Sequence, residues 1–377
     1  MHPREETGTA TQVTHTSEPS PPEPSPPESS PPQASPEPSG ANPPRPKRLS
    51  LITGATGLLG SYIAEQLREQ GEPVRGLVRT GSDTRLLSKL GVELFEGDLR
   101  DLDSLGRATQ GVDTVYHCGA FVGDWGPWQQ YFEGTVETTR NVVEACRASG
   151  NPRLLHVSSI SVYGQVSADR GKIDEDFPIG QHHWLWDYYG RSKVEAEQVV
   201  RAYPNHTIVR PSWIYGPRDR VSIPRLVDAL RSGQLRIMGS GRNPLNMVYA
   251  GDVAAGAILA ANEPAAVGQA YHLCSHGEIT QRELVDLFTE GLGMPRVERH
   301  APMPVAWSVA FLAEAAFRSL GRRTPPPFTR RGIYIMGRPT NFSIAKAAEQ
   351  LGWEPRVKTR EGVREALQWY LSTHPAA

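Results

Sequence analysis

The sequence predicts an α/β protein: a doubly wound parallel sheet, a smaller interleaved C-terminal substrate lobe, and a disordered N-terminal tail. Three observations carry this. From Leu49 onward, apolar runs of strand length alternate with amphipathic helical stretches. The first run is followed by three glycines three residues apart, Gly54, Gly57 and Gly60, that open a helix. Before it, Thr16 to Arg48 is dense in proline, serine and glutamate and poor in apolar residues. Such a segment cannot offset its ordering entropy by burial. Its P-x-x-P spacings suit a proline-reading module or a solvated spacer.

In chain order, "LSLIT" reads as the first strand and Leu59 to Gln70 as a helix with Leu59, Ile63 and Leu67 on one face. "PVRGLV", "VELFEG", "VDTVYHC" and "RLLHVSS" are the next four strands, with a long helix over Trp128 to Ser149 before the last of them. A helix beginning near Tyr189 leads to a sixth strand, "HTIVR". Repetition of strand and helix implies right-handed crossovers in one parallel sheet. After Pro211 the pattern turns irregular, with short strands "LRIMG", "NMVYA" and "QAYHL" among helices. The expected divisions are a tail over 1–48, a dinucleotide-binding domain over 49–211, and a lobe over 212–377 that returns strands to the sheet at about 245–275.

Composition narrows the function. With 40 Lys+Arg against 41 Asp+Glu, no global field favours nucleic acid. Cys118, Cys146 and Cys274 are odd in number and widely spaced, so neither a disulfide framework nor a zinc site is expected. "MHPREETGTA" lacks the apolar centre of a signal peptide, and no run of about 18 apolar residues appears. A cytoplasmic location is the expectation.

Spaced glycines alone are weak evidence, but these follow a strand and open a helix. Gly54 permits a sharp turn, Gly57 lets backbone approach a pyrophosphate, and Gly60 allows close helix–strand packing. The helix N-terminus then offers free N–H groups to phosphate. About 20 residues on, where an NAD-binding fold places an acidic residue, stands Arg79 with Thr80, Ser82 and Arg85 nearby. A guanidinium there suits a 2′-phosphate, so NADP(H) is favoured over NAD(H), while adenine stacking by Arg79 would permit either. Tyr189 and Lys193 form Y-x-x-x-K, which on a helix puts both on one face a turn apart. Free tyrosine, with a pKa near ~10, is a poor base at neutrality, and a nearby ammonium favours its phenolate. Tyr188 rivals Tyr189 for proton transfer, but only Tyr189 has a lysine four residues on.

"TGATGLLG", "GDLRD", "HCGA", "SSISVYG", "YYGRSK", "RPSWIYGP" and "LGWEP", in that order, resemble the extended short-chain dehydrogenases/reductases from about Lys47 to about Tyr370. The branch most resembled is that of 3β-hydroxysteroid dehydrogenases, which also contains reductases of long-chain 2-alkyl-3-oxo acids. The resemblance implies a Rossmann sheet that binds cofactor through Gly54, Thr56, Gly57, Leu58, Leu59 and Gly60, with Asp98 and Leu99 beside adenine. It further implies Gly119, Ala120 and Pro211 along the cofactor, Tyr189 and Lys193 at the nicotinamide end, and Ser159 rather than Ser158 or Ser161 holding the substrate oxygen. One departure is Thr135, where the family commonly has the asparagine of a proton relay.

The resemblance implies hydride exchange on a bulky apolar secondary alcohol or ketone, with a homodimer left open. A nucleotide-sugar epimerase or dehydratase is the alternative, with Arg236 or Arg242 on the diphosphate. A non-catalytic NADP(H)-binding regulatory protein is a third, opposed by the Tyr189/Lys193 pair. His182 and His183 read as loop histidines and no metal is expected; Trp184 and Trp186 either line a pocket or pack the lobe. Over 302–331 an apolar helix interrupted by Glu314 carries Arg318, Arg322, Arg323, Arg330 and Arg331 at or beyond its end. It is expected either to cover the small lobe or to lie peripherally in a membrane interface with its arginines at headgroups.

Overall fold

The computed structural model describes Gln12, residues 47–166 and residues 171–374, so the reading of the tail lies almost wholly outside the described residues. The central sheet has seven strands, all parallel. Six are β1 (Ser50–Thr53), β2 (Val74–Val78), β3 (Glu93–Glu96), β4 (Thr114–His117), β5 (Arg153–Val157) and β6 (His206–Pro211). The seventh is Ala270–Leu273, and the spatial order runs from it through β6, β5, β4, β1, β2 to β3. The β1, β4, β5 and β6 strands are buried along their whole length, which is why their centres (Leu51–Ile52, Val115–Tyr116, Leu154–Leu155 and Ile208–Val209) are apolar in succession rather than alternating. At the edge, β3 is mostly exposed.

Strand order reverses direction between β1 and β4, which pair in register from Ser50↔Thr114 to Thr53↔His117. A crevice opens beyond the C-terminal ends of strands at such a reversal, and it is where ligands bind in open α/β sheets. The glycine turn after β1 and the segment Cys118–Ala120 after β4 both end there.

Of the region expected to return strands to the sheet at about 245–275, only Ala270–Leu273 does so. Met247–Tyr249 instead pairs with Trp213–Tyr215 in a separate two-stranded ribbon. Runs of only two to four residues cannot declare from their own pattern which sheet they join. A second core lies among the helices Ser222–Arg231, Gln281–Gly291 and Thr359–Thr373, with Val227, Phe288 and Val363 at its centre. The middle helix starts on a capping box in which Thr280 and Glu283 satisfy each other's backbone N–H groups.

The long helix expected over Trp128 to Ser149 is broken into three. Trp128–Tyr131 and Thr138–Ala148 are α-helical, while Phe132–Glu137 between them is wound as a π-helix. The extra residue per turn shifts the phase of everything beyond it, a change that apolar spacing across so few residues does not reveal.

Candidate active site

The cofactor cradle follows from local geometry. Gly54 has φ +68°, a left-handed conformation that a side chain would strain, and a Cβ there would lie 2.9 Å from Gly119 N. A Cβ on Gly60 would lie 2.3 Å from Gly54 O, so only glycine lets the helix Leu58–Glu69 start this close to the turn. That helix begins at Gly57 with no side-chain cap and no acidic residue in its first turn. Its first N–H groups are thereby left to an anion. Thr53 closes the floor: its Oγ1 accepts from Gly119 N at 3.2 Å and bonds His117 Nδ1 at 2.8 Å. Burial, with the nearby Lys193 charge adding to it, pushes the His117 imidazole down to about 3, so it is neutral at any physiological pH.

Gly54, Thr56, Gly57, Leu58, Leu59, Gly60, Arg79, Asp98, Leu99, Gly119, Ala120 and Pro211 all line one cleft of about 1460 Å³. No carboxylate directly follows β2 at Val78; exposed Arg79 stands there. Asp98 is held by Nε and Nη2 of Arg100, which keeps its carboxyl below the usual range.

Ser159, Tyr189 and Lys193 line the same cleft. The helix Tyr188–Arg201 puts Tyr189 and Lys193 one turn apart, and its cap Asp187 accepts from Gly190 N at 3.2 Å. Lys193 is buried and donates from Nζ to Val157 O at 2.9 Å, fixing it at the end of β5. Tyr188 does not line the cleft; its ring packs on Trp128 and Tyr131. Ser159 Oγ accepts from Ser161 N and lies 3.1 Å from Ser161 Oγ.

Residues 50–274 match the NAD dependent epimerase/dehydratase family. The chain belongs to that family. It is 32% identical over 329 residues to the 2-alkyl-3-oxoalkanoate reductase of Stenotrophomonas maltophilia, covering 83% of this chain and 97% of the reductase. Identity is 29% to the sterol-4-alpha-carboxylate 3-dehydrogenase, decarboxylating, of Mus musculus, over 84% of this chain and 89% of the mouse protein. The crystal structure of gox2253 superposes with a TM-score of 0.71 at 30% identity, covering 88% of this chain and all of that one.

The epimerase/dehydratase fold carries features here that sequence reasoning placed differently or missed. Thr135 is fully buried in the π-helical segment, where its Oγ1 accepts from Phe121 N at 3.2 Å. His183 bonds Asp187 through Nδ1 at 2.6 Å, so it props the cap of the Tyr189 helix. Trp184 lines the cleft, whereas Trp186 stacks on Phe311 and sits at φ +71°, strained backbone for so large a residue. Arg236 lines the cleft but its Nη1 turns back to the carbonyls of Gly233 and Leu235, and Arg242 does not line it.

One wall of the cleft is built by residues 123–128, "GDWGPW", and the segment from Pro302 to Arg331 docking on each other. Trp125 Nε1 donates to Arg322 O at 3.1 Å, and Thr329 Oγ1 donates to Asp124 Oδ2 at 2.8 Å. The helix Met303–Ser319 buries only Ala310 and Glu314. Three of its five associated arginines are not at the surface expected of headgroup contacts. Arg318 lies over the Trp125 and Trp186 rings, Arg330 is buried on Glu314, and Arg331 lines the cleft over the Tyr189 ring. Arg322 and Arg323 remain exposed.

Proposed function

We propose that the protein is an NADP(H)-preferring oxidoreductase that interconverts a secondary alcohol and a ketone on a long apolar substrate. The observation that carries this is the meeting of Ser159, Tyr189 and Lys193 in the cleft that holds the glycine cradle, with apolar side chains such as Val122, Leu226, Phe328 and Met336 lining the rest. The residues of the cradle fit a dinucleotide, and a reduced nicotinamide bound there supplies the hydride. Tyr189 gives its phenolic proton to the carbonyl oxygen as hydride reaches the carbon, and takes it back in the other direction. Ser159 donates its O–H to the same oxygen and stabilises the charge developing on it. Lys193, held on Val157 O, sets a positive charge one helical turn from Tyr189. The two relatives point the same way in their names: both act at a carbon bearing oxygen next to a carbon that carries a carboxylate.

A panel of long-chain 3-hydroxy acids, sterols and nucleotide sugars, followed at nicotinamide absorbance, tests this. Turnover of nucleotide sugars with the lipid-like compounds inert would overturn it in favour of an epimerase or dehydratase. The cofactor preference rests on Arg79. Arg79→Ala is expected to raise the dissociation constant for NADPH about 10-fold or more, the cost of one charge-assisted contact, and to change that for NADH little. Equal weakening of both would show that Arg79 serves adenine.

The exposed face of the helix Met303–Ser319 supports a peripheral contact with a lipid surface. Val305, Val309 and Leu312 are exposed along it, Leu320 follows, and Arg322 and Arg323 lie beyond its end to meet anionic headgroups. Among the described residues no helix is long and apolar enough to cross a membrane. Leu312→Glu is expected to cut co-sedimentation with anionic vesicles several-fold while the melting temperature holds, since Leu312 is 65% exposed. Unchanged vesicle binding counts against the contact.

A further inference from the structure

Two adjacent arginines at the start of the helix Arg330–Gly337 have opposite surroundings. Arg330 is buried, and its Nε and Nη2 both donate to Glu314 Oε2, at 3.0 and 2.7 Å; Nη2 also donates to Leu185 O. That guanidinium is anchored on a buried carboxylate and is structural. Arg331, a helical step of about 100° away, faces the cleft instead. Its guanidinium carbon lies 4.1 Å from the centroid of the Tyr189 ring. Its one hydrogen bond among the described residues is a long one, from Nη2 to Ser161 Oγ at 3.3 Å, and Ser161 Oγ is 3.1 Å from Ser159 Oγ.

The carboxylate nearest to Arg331 balances its charge at a distance but takes none of its N–H groups. Asp187 Oδ1 is 3.9 Å from Arg331 Nη1, and that carboxylate is already engaged by Gly190 N at 3.2 Å and His183 Nδ1 at 2.6 Å. Of the other cleft arginines, Arg225 pairs with Asp124 at 3.3 Å and Arg218 with Glu65 at 2.7 Å, while Arg79 and Arg338 are exposed to solvent. A guanidinium whose side chain is only 19% exposed, with most of its N–H donors unpaired, is therefore held beside the two groups that meet the reacting oxygen. Its fork matches a carboxylate in two parallel hydrogen bonds, and the partly dry cleft strengthens them.

We propose that Arg331 binds a substrate carboxylate attached to the carbon next to the one that exchanges hydride, and so selects 3-oxo and 3-hydroxy acids over neutral ketones and alcohols. This rests on the alcohol–ketone reading above. In such an acid the carboxyl carbon is two bonds from the reacting carbon, so both must be gripped within the same few ångströms. Ser159 and Tyr189 take the oxygen, and Arg331, stacked on Tyr189 and bonded through Ser161 to Ser159, takes the acid group. The alkyl chain is left to the apolar part of the cleft. A rival role for the same cation is to favour the Tyr189 phenolate, which would speed every substrate alike.

The test oxidises a long-chain 2-alkyl-3-hydroxy acid and its methyl ester with full-length protein. The wild type is expected to favour the acid, and Arg331→Gln to lower the acid-to-ester ratio of kcat/KM by about 10² or more, with partial recovery in Arg331→Lys. An equal fall on acid and ester assigns Arg331 to Tyr189 and overturns the anchor; so does an unchanged ratio. A wild type that turns over both equally well overturns the anchor alone, whereas one that turns over neither overturns the alcohol–ketone reading itself. Because the variant's folding is at stake, a wild-type measurement runs beside it. A long-chain carboxylic acid without the hydroxyl should inhibit competitively, and its primary amide at least about 10-fold more weakly. Equal inhibition by acid and amide overturns the anchor whatever the variants do.

Discussion

Tyr189→Phe is expected to bind cofactor as the wild type does and to lose at least about 10² in kcat/KM, the scale of removing a positioned general acid–base. The substitution deletes one oxygen and keeps the ring on which the Arg331 guanidinium lies, so packing at the site is preserved. The lost oxygen is the group that would give its proton to the forming alcohol. Lys193 stays on Val157 O, and hydride transfer is left with the Ser159 O–H as the one hydrogen-bond donor to the carbonyl and no proton source. Cofactor titration by fluorescence and steady-state rates separate binding from chemistry. Tyr188→Phe is the internal control, because that ring packs against Trp128 and Tyr131 outside the cleft and its turnover should stay near wild type. Near-normal rates in Tyr189→Phe, or a matching loss in Tyr188→Phe, would sink the assignment.

Much of this site was legible in the chain because its parts are local. The glycine turn, the absence of a carboxylate after β2 and the Tyr189/Lys193 spacing are each set within a few residues by one turn or one helix face. The same holds for the sheet, since fully buried parallel strands leave short non-alternating apolar centres separated by helices. What resisted was whatever depends on distant partners. Arg330 and Arg331 are alike in sequence, and only Glu314, 16 residues earlier and folded back onto one of them, makes the first structural and leaves the second to the cleft. Read along the chain, both joined a cluster of surface cations. Thr135 was visible as a departure from the resembled pattern, yet the π-helical turn that buries it was not. The short strands of the second half share this defect, their pairing being decided across 34 residues in the case of Trp213–Tyr215 with Met247–Tyr249.

Glu197→Gln tests the support behind the Tyr189 helix and is expected to cost about 3–5 kcal/mol of stability, the usual penalty for stripping one partner from a buried ion pair. Glu197 lies on that helix two turns beyond Tyr189 and is fully buried. Arg210, at 1% exposure on β6, donates to it twice, Nε to Oε1 at 2.9 Å and Nη2 to Oε2 at 2.7 Å. Burial pushes the Glu197 carboxyl up, but the Arg210 hydrogen bonds and charge more than reverse this and hold it below its usual range. Arg210 also donates from Nη1 to Tyr163 Oη at 2.6 Å, and that oxygen is 2.6 Å from His272 Nε2 on the seventh strand. One guanidinium thus ties the helix, β6, the "SSISVYG" segment and the sheet edge together. A glutamine keeps the shape but can accept through one oxygen only, leaving a charged donor in a dry interior. Urea unfolding should show the loss as a lower midpoint with an unchanged slope, and the double variant Glu197→Leu with Arg210→Met should recover a large part of it, because two apolar groups carry no desolvation cost. A loss below about 1 kcal/mol in the single variant would mean that water reaches Arg210, and that the Tyr189 helix is held by its cap at Asp187 and its apolar packing alone.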